Sequence, residues 1–128
     1  MSKCFTQEWL DDLKKTAESL PGWPGFSCSV QFVVTGGPEG VLEYYWIFED
    51  GELNECQLGR LEDPDVTLAP DYEIALKVHK GELTPRDIAL QGTGRATGDM
   101  AKVMAFIPLS DSPEYKNFVA RAAEITEF

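Results

Sequence analysis

Apolar residues near the start of the chain return every fourth position. Phe5, Trp9, Leu13 and Ala17 form this stripe, and Leu10 and Leu20 widen it. That period predicts an amphipathic helix. Thr6 is placed to cap it, and Phe5 and Leu10 have the spacing of a hydrophobic staple. Pro21 and Gly22 stop it, and the connector PGWPG carries Trp23 in a stiff turn. The period then falls to two. Cys28, Val30, Phe32 and Val34 alternate with Ser29, Gln31 and Thr35, which predicts a strand with one apolar face. After the turn GGPEG, Glu43 and Glu49 mark the wet face of a second strand, whose Leu42, Tyr44, Trp46 and Phe48 point inward. Asp50-Gly51 is a two-residue hairpin signal. ELNECQLG follows as a shorter, more polar strand suited to a sheet edge.

Beyond residue 60 short strands and helices interleave. DVTL reads as a fourth strand. A helix follows over 70–81, with Pro70 at its start, Asp71 and Glu73 in the first turn, and Gly81 at its close. Thr84 and Pro85 open a short helix through Gln91, and GTGRATG reads as a glycine-interrupted fifth strand with Gly94 and Ala96 inward. Asp99 caps a helix expected to end near Pro108, and Ser112 caps a last one carrying Tyr115, Phe118, Val119, Ala122 and Ile125. The order predicts a single α+β domain over residues 1–128, with helices on one face of a sheet.

Charge narrows the function. The chain has 22 Asp and Glu against 11 Lys and Arg, a formal charge of -11. Nucleic-acid binding draws on clustered Lys and Arg, so no nucleic-acid partner is expected. No apolar run reaches the roughly 20 residues of a membrane helix, so stable membrane insertion is not expected. Neither terminus resembles a targeting signal. Cys4, Cys28 and Cys56 are odd in number and widely spaced, which reads as free thiols in a cytoplasmic protein.

Few residues invite chemistry. His79 is the only histidine, lies near a helix end, and has no partner placed by the sequence. Gly92, Gly94 and Gly98 are one residue too widely spaced for a dinucleotide loop. No nucleophile elbow is present. An enzymatic reading would rest on Tyr44, His79 or Asp99 with a shifted pKa, and none has a visible partner. Neither a cofactor nor a metal is expected. The aromatic supply is more informative: Tyr44, Trp46 and Phe48 share one strand face, and Met100, Met104, Phe106 and Ile107 share a late helix. These residues form either an ordinary core or the walls of an apolar pocket.

The segment from Asp65 to Phe106 resembles the sterol carrier protein type 2 domain family. The resemblance rests on Asp65-Val66-Thr67, Gly81-Glu82-Leu83, Thr84-Pro85, the Gly92 to Gly98 strand and Gly98-Asp99-Met100, in that order. The preceding meander with its Asp-Gly hairpin agrees in order and length. The resemblance implies a five-stranded, mostly antiparallel sheet whose helices enclose an apolar tunnel. It also implies non-covalent binding or transfer of a fatty acid, fatty acyl-CoA, phospholipid or sterol, without bond chemistry. The implied inner wall comprises Phe32, Val34, Tyr44, Trp46, Phe48, Gly94 and Ala96. The implied helical lid comprises Ile74, Val78, Met100, Val103, Met104, Ile107 and Phe118. The last helix, from Ser112, is the one expected to move to admit ligand. The alternative is an accessory module with a filled core and a surface for a protein partner.

Overall fold

The computed structural model describes residues 1–92 and 95–128. Helix α1 spans Gln7–Thr16, capped by Thr6, whose hydroxyl accepts from the Trp9 amide. A single 3₁₀ turn over Ala17–Ser19 brings the chain to Pro21. Two short strands, β1 (Ser2–Lys3) and β7 (Thr126–Glu127), pair in parallel and tie the two ends of the chain together. The periodicity gave no sign of this pair, because two residues are too few to show a period.

The main sheet has strand order β4-β3-β2-β5-β6. Strand β2 runs over Cys28–Gly37, β3 over Gly40–Glu49 and β4 over Glu52–Leu58. These three form an antiparallel meander. The Asp50-Gly51 hairpin forms as expected, with φ of 50° and 79° at its two residues. Gly51 is required there twice over, since a Cβ would also lie 2.2 Å from that of Trp23.

Strand β5 (Val66–Leu68) joins β2 in parallel, and β6 (Thr97–Gly98) closes the sheet antiparallel to β5. Of the seven residues expected in the fifth strand, only Thr97 and Gly98 pair in the sheet among the described ones. Gly92 is spent as the left-handed cap of the helix over Pro85–Gln91, at φ 68°, and Arg95 and Ala96 stay outside the sheet. Ala96 precedes the strand, and Gly94 lies outside the described residues.

Helices α2 (Tyr72–His79), α3 (Pro85–Gln91), α4 (Met100–Ser110) and α5 (Pro113–Glu124) follow. Helix α3 opens with a capping box between Thr84 and Asp87. Helix α4 runs past Pro108 to Ser110 rather than ending at the proline. Leu109 and Ser110 are buried there, and their packing holds the last turn.

The pleat sends Cys28, Phe32, Tyr44, Trp46, Phe48, Cys56 and Val66 to one face, where the helices lie. The other face carries Gln31, Tyr45, Ile47 and Glu55. The connection from β4 to β5 crosses that face and is pinned by Gln31. The Gln31 amide donates to the Tyr44 and Gly59 carbonyls at 3.1 and 3.0 Å, and its oxygen accepts from the Leu61 amide at 2.7 Å. Ser29 and Asp65 then exchange two bonds, backbone amide to side chain in each direction, at 3.0 and 2.8 Å. This anchors the start of β5 beside β2.

Candidate functional site

The helices do not fill the space above the sheet. A pocket of about 810 Å³ lies between them. That volume falls within the roughly 300–1,000 Å³ of small-molecule sites. Its floor is the aromatic face of β2 and β3. Phe32 stacks on Tyr44 with centroids 4.6 Å apart and meets Trp46 edge-on at 4.9 Å. A second band runs from Phe26 and Phe48 to Phe106, Tyr115 and Phe118, each ring meeting the next between 5.5 and 5.8 Å. Val78, Ile88, Val103 and Val119 from the helices and Leu83 from the α2–α3 connection complete the walls.

One polar pair lies in this apolar wall. The Tyr44 hydroxyl and His79 Nε2 are hydrogen-bonded at 3.0 Å. The His79 ring also packs edge-on to Trp9 at 4.8 Å. Burial pushes its pKa down to about 4, so the imidazole is neutral at pH 7. Burial raises the pKa of the Tyr44 hydroxyl well above its ordinary value. Neither group bears charge, and the pair satisfies itself. His79 is therefore a pocket residue rather than a surface one. A signal existed in the sequence: His79 stands one turn after Ala75, on the buried stripe of α2.

Charge appears only at the edges. Lys80, Arg95, Lys102 and Lys116 border the pocket, and no acidic residue does, in a chain with twice as many acids as bases. Lys102 is held by Asp65 at 2.9 Å. Lys80 lies 5.4 Å above the Phe128 ring. The three cysteines are free and buried. Burial raises the thiols of Cys4 and Cys56 to about 12 and that of Cys28 to about 11, so none is a ready nucleophile. Among the described residues no three His, Cys, Asp or Glu side chains converge as a metal site requires.

The pocket brings together nine of the fourteen residues picked from the sequence: Phe32, Tyr44, Trp46, Phe48, Val78, Ala96, Val103, Ile107 and Phe118. Four lie elsewhere. Val34 is 0% exposed and packed into the core beside the pocket. Ile74 faces a shallow cleft with Thr35 and Tyr72. Met100 and Met104 are 45% and 67% exposed, on the outer side of α4. Helical spacing groups them with Phe106 and Ile107 but cannot say which side of an apolar helix meets the sheet. Gly94, the remaining one, lies outside the described residues. The sequence reading missed the cationic border, because Lys80, Arg95 and Lys116 come from three separate segments.

No family model matches the sequence, and no curated protein matches it significantly. Solved structures do match. The palmitated sterol carrier protein 2-like 2 of Aedes aegypti superposes with a TM-score of 0.66 at 18% identity, over 88% of this chain and 96% of that one. A crystal structure of sterol carrier protein 2 gives 0.66 at 14% identity, over 95% of this chain and 98% of its own. The chain has the sterol carrier protein 2 fold. The same fold also occurs as a part of larger enzymes. A stereoselective sec-alkylsulfatase from Pseudomonas matches with a TM-score of 0.54 at 20% identity, over 83% of this chain and 16% of the enzyme. The sterol carrier protein 2 fold accounts for the layout described above, a sheet with its helices on one face. No helix is long and apolar enough to cross a membrane.

Proposed function

We propose that this protein binds and carries a single-chain anionic amphiphile, such as a fatty acid or fatty acyl thioester, within the 810 Å³ pocket. The observation that carries this reading is the distribution of charge. The pocket interior is apolar and neutral, and its lining carries four cations and no acid; Asp65 and Asp71 pair with Lys102 and Arg95 at the edge, which leaves Lys80 and Lys116 without an ion pair among the described residues. Each methylene taken from water into such walls contributes about 0.8 kcal/mol, so a long chain gains affinity without polar contacts. A carboxylate or phosphate left at the border would meet Lys80, Arg95 or Lys116. A hydrocarbon body with one buried hydroxyl, as in a sterol, makes no use of that border. The palmitated state of the Aedes relative is consistent with this reading.

The chemistry of the wall supports carriage rather than catalysis. His79 is neutral and bonded to Tyr44, and burial holds the Cys28 thiol protonated. Free thiols also suit a reducing compartment such as the cytoplasm. The open pocket favours a carrier over an accessory module with a filled core.

The test is displacement of a bound fluorescent polyene fatty acid. Oleate should displace it saturably, and methyl oleate at least tenfold less well. Native mass spectrometry of the purified protein should show co-purified acyl lipid. Absence of saturable fatty-acid binding would falsify the carrier reading, and equal competition by the methyl ester would remove the anionic head group from it.

A further inference from the structure

The pleat of β3 sends Tyr44 and Trp46 to the same face, and both line the pocket. Phe32 on β2 holds them, stacked on the first at 4.6 Å and edge-on to the second at 4.9 Å. His79 reaches them from α2, with its ring 6.4 Å from that of Tyr44 and 6.1 Å from that of Trp46. Three rings that carry polar atoms thus share one stretch of the pocket wall.

The hydrogens on these rings do not all find partners. Tyr44 brings one O–H, and His79, kept neutral by burial, brings one N–H. The bond between them uses one of the two. If the Tyr44 hydroxyl donates to Nε2, then Nδ1–H is spare, and so is a lone pair on the Tyr44 oxygen. If Nε2–H donates to Tyr44, then the Tyr44 O–H is spare, and so is the Nδ1 lone pair. Either tautomer satisfies the pair across its shared bond and leaves one donor and one acceptor over. Neither side chain makes another hydrogen bond among the described residues. Trp46 adds a second donor. The residue is 6% exposed, and its indole N–H is the one buried side-chain polar group without a partner among the described residues. An orphaned buried donor is destabilising until an acceptor reaches it.

Two spare donors and one spare acceptor are the complement of a hydroxyl, which has two lone pairs and one hydrogen. A carbonyl oxygen would leave the acceptor unmatched, and a methylene would leave all three. The unpaired Lys80 and Lys116 at the border call for an anion at the other end of the same ligand. A sterol with one hydroxyl could not meet both.

We infer that Tyr44, His79 and Trp46 form a hydroxyl-recognition site inside the pocket, and that the cargo is a hydroxylated acyl chain with its carboxylate at the cationic border. The inference rests on the carrier reading above and narrows its cargo. A site built to hydrogen-bond a hydroxyl rejects the analogue that lacks it, because its own groups stay unpaired. In a wall without such groups, a hydroxyl along the chain would weaken binding, since it leaves its hydrogen bonds to water and finds none. The sign of the effect therefore decides.

The experiment is displacement of a bound fluorescent polyene fatty acid by stearate and by monohydroxystearates that differ in the position of the hydroxyl. At one position the hydroxy acid should bind roughly fivefold or more tighter than stearate, and at positions remote from it more weakly. In Tyr44→Phe and in Trp46→Phe the ratio of the two affinities should fall below about twofold, whatever the affinity for stearate itself. Val41→Glu, at the exposed tip of β3, should keep the wild-type ratio. A second readout needs no variant. In the proton–nitrogen NMR spectrum, the Trp46 indole proton should move downfield with the preferred hydroxystearate and not with stearate. Saturable binding of stearate with weaker binding of every hydroxystearate overturns the inference and leaves the carrier reading standing. A ratio that survives both phenylalanine variants, or an indole proton that responds alike to the two acids, also overturns it. Binding of neither acid overturns the inference and the carrier reading together.

Discussion

The two faces of the main sheet are covered by different physics. The outer face is closed by hydrogen bonds. Gln31, itself buried, ties the Tyr44 and Gly59 carbonyls and the Leu61 amide together, and the crossing connection cannot lie elsewhere. The inner face is covered mostly by apolar contact, with one buried polar pair, Tyr44 and His79. Its aromatic rings meet Trp9 of α1, His79 of α2 and Phe106 of α4, yet 810 Å³ stay open. Hydrogen bonds are directional and fix one geometry. Apolar contact has no direction, so a wall built from it can stand open and admit a guest.

Four changes break or sharpen this contrast. The largest effect is expected from Gln31→Leu, which keeps the volume and strands three backbone groups at once. Only the Tyr44 bond is fully buried, and an unsatisfied buried group costs about 1–3 kcal/mol, so a loss of about 3 kcal/mol is expected in denaturant unfolding. A loss under 1 kcal/mol would mean that the connection is held by something else.

Acid should act next, and on the inner face. The folded-state pKa of His79 is lowered to about 4 from 6.5. Its contribution is therefore complete above 6.5 and is lost as the pH falls from 6.5 through 4, because the unfolded chain takes up the proton first. The loss amounts to about 2–3 kcal/mol. His79→Gln should remove that part of the pH slope, measured by thermal unfolding between pH 7 and pH 4.

Filling the open side should cost little stability. Val103→Phe adds volume to the pocket, so it should change stability by under about 1 kcal/mol while weakening fatty-acid affinity at least tenfold. Val34→Phe, the same change in the packed part of the same face, should instead destabilise by about 1–3 kcal/mol. Equal costs at the two positions would mean that the pocket is not open in solution. The smallest effect belongs to Asp65→Asn. Asp65 has a lowered pKa, chiefly from Lys102 and the Ser29 amide. Its contribution is present above the usual carboxylate range and fades as the carboxyl protonates in acid. The Lys102 pair is partly exposed, so its loss should cost about 1 kcal/mol or less.

Much of the fold was legible along the chain. The meander from Cys28 to Leu58 followed from alternation and one Asp-Gly pair. The caps at Thr6, Thr84, Asp99 and Ser112 were visible too, and each accepts a backbone amide where expected. These features depend on near neighbours, and near neighbours are what a sequence displays. The glycine-rich stretch before Thr97 was not legible, because Gly92 suits a helix cap as well as a strand. Nor was the outward side of α4, since apolar residues surround that helix and its period points nowhere.

The site divides along the same line. Alternation put Phe32, Tyr44, Trp46 and Phe48 on an inward face, because a strand has only two faces, and the family resemblance made that face a pocket wall. Resemblance to a family suggested that something hollow lies above. The sequence could not decide that the helices stand off by 810 Å³, that the His79 ring reaches the Tyr44 hydroxyl, or that four cations from distant segments border the opening. Those facts depend on the distances between elements far apart in the chain. Packing of the whole molecule sets them, and a local pattern carries no measure of the gap between two surfaces.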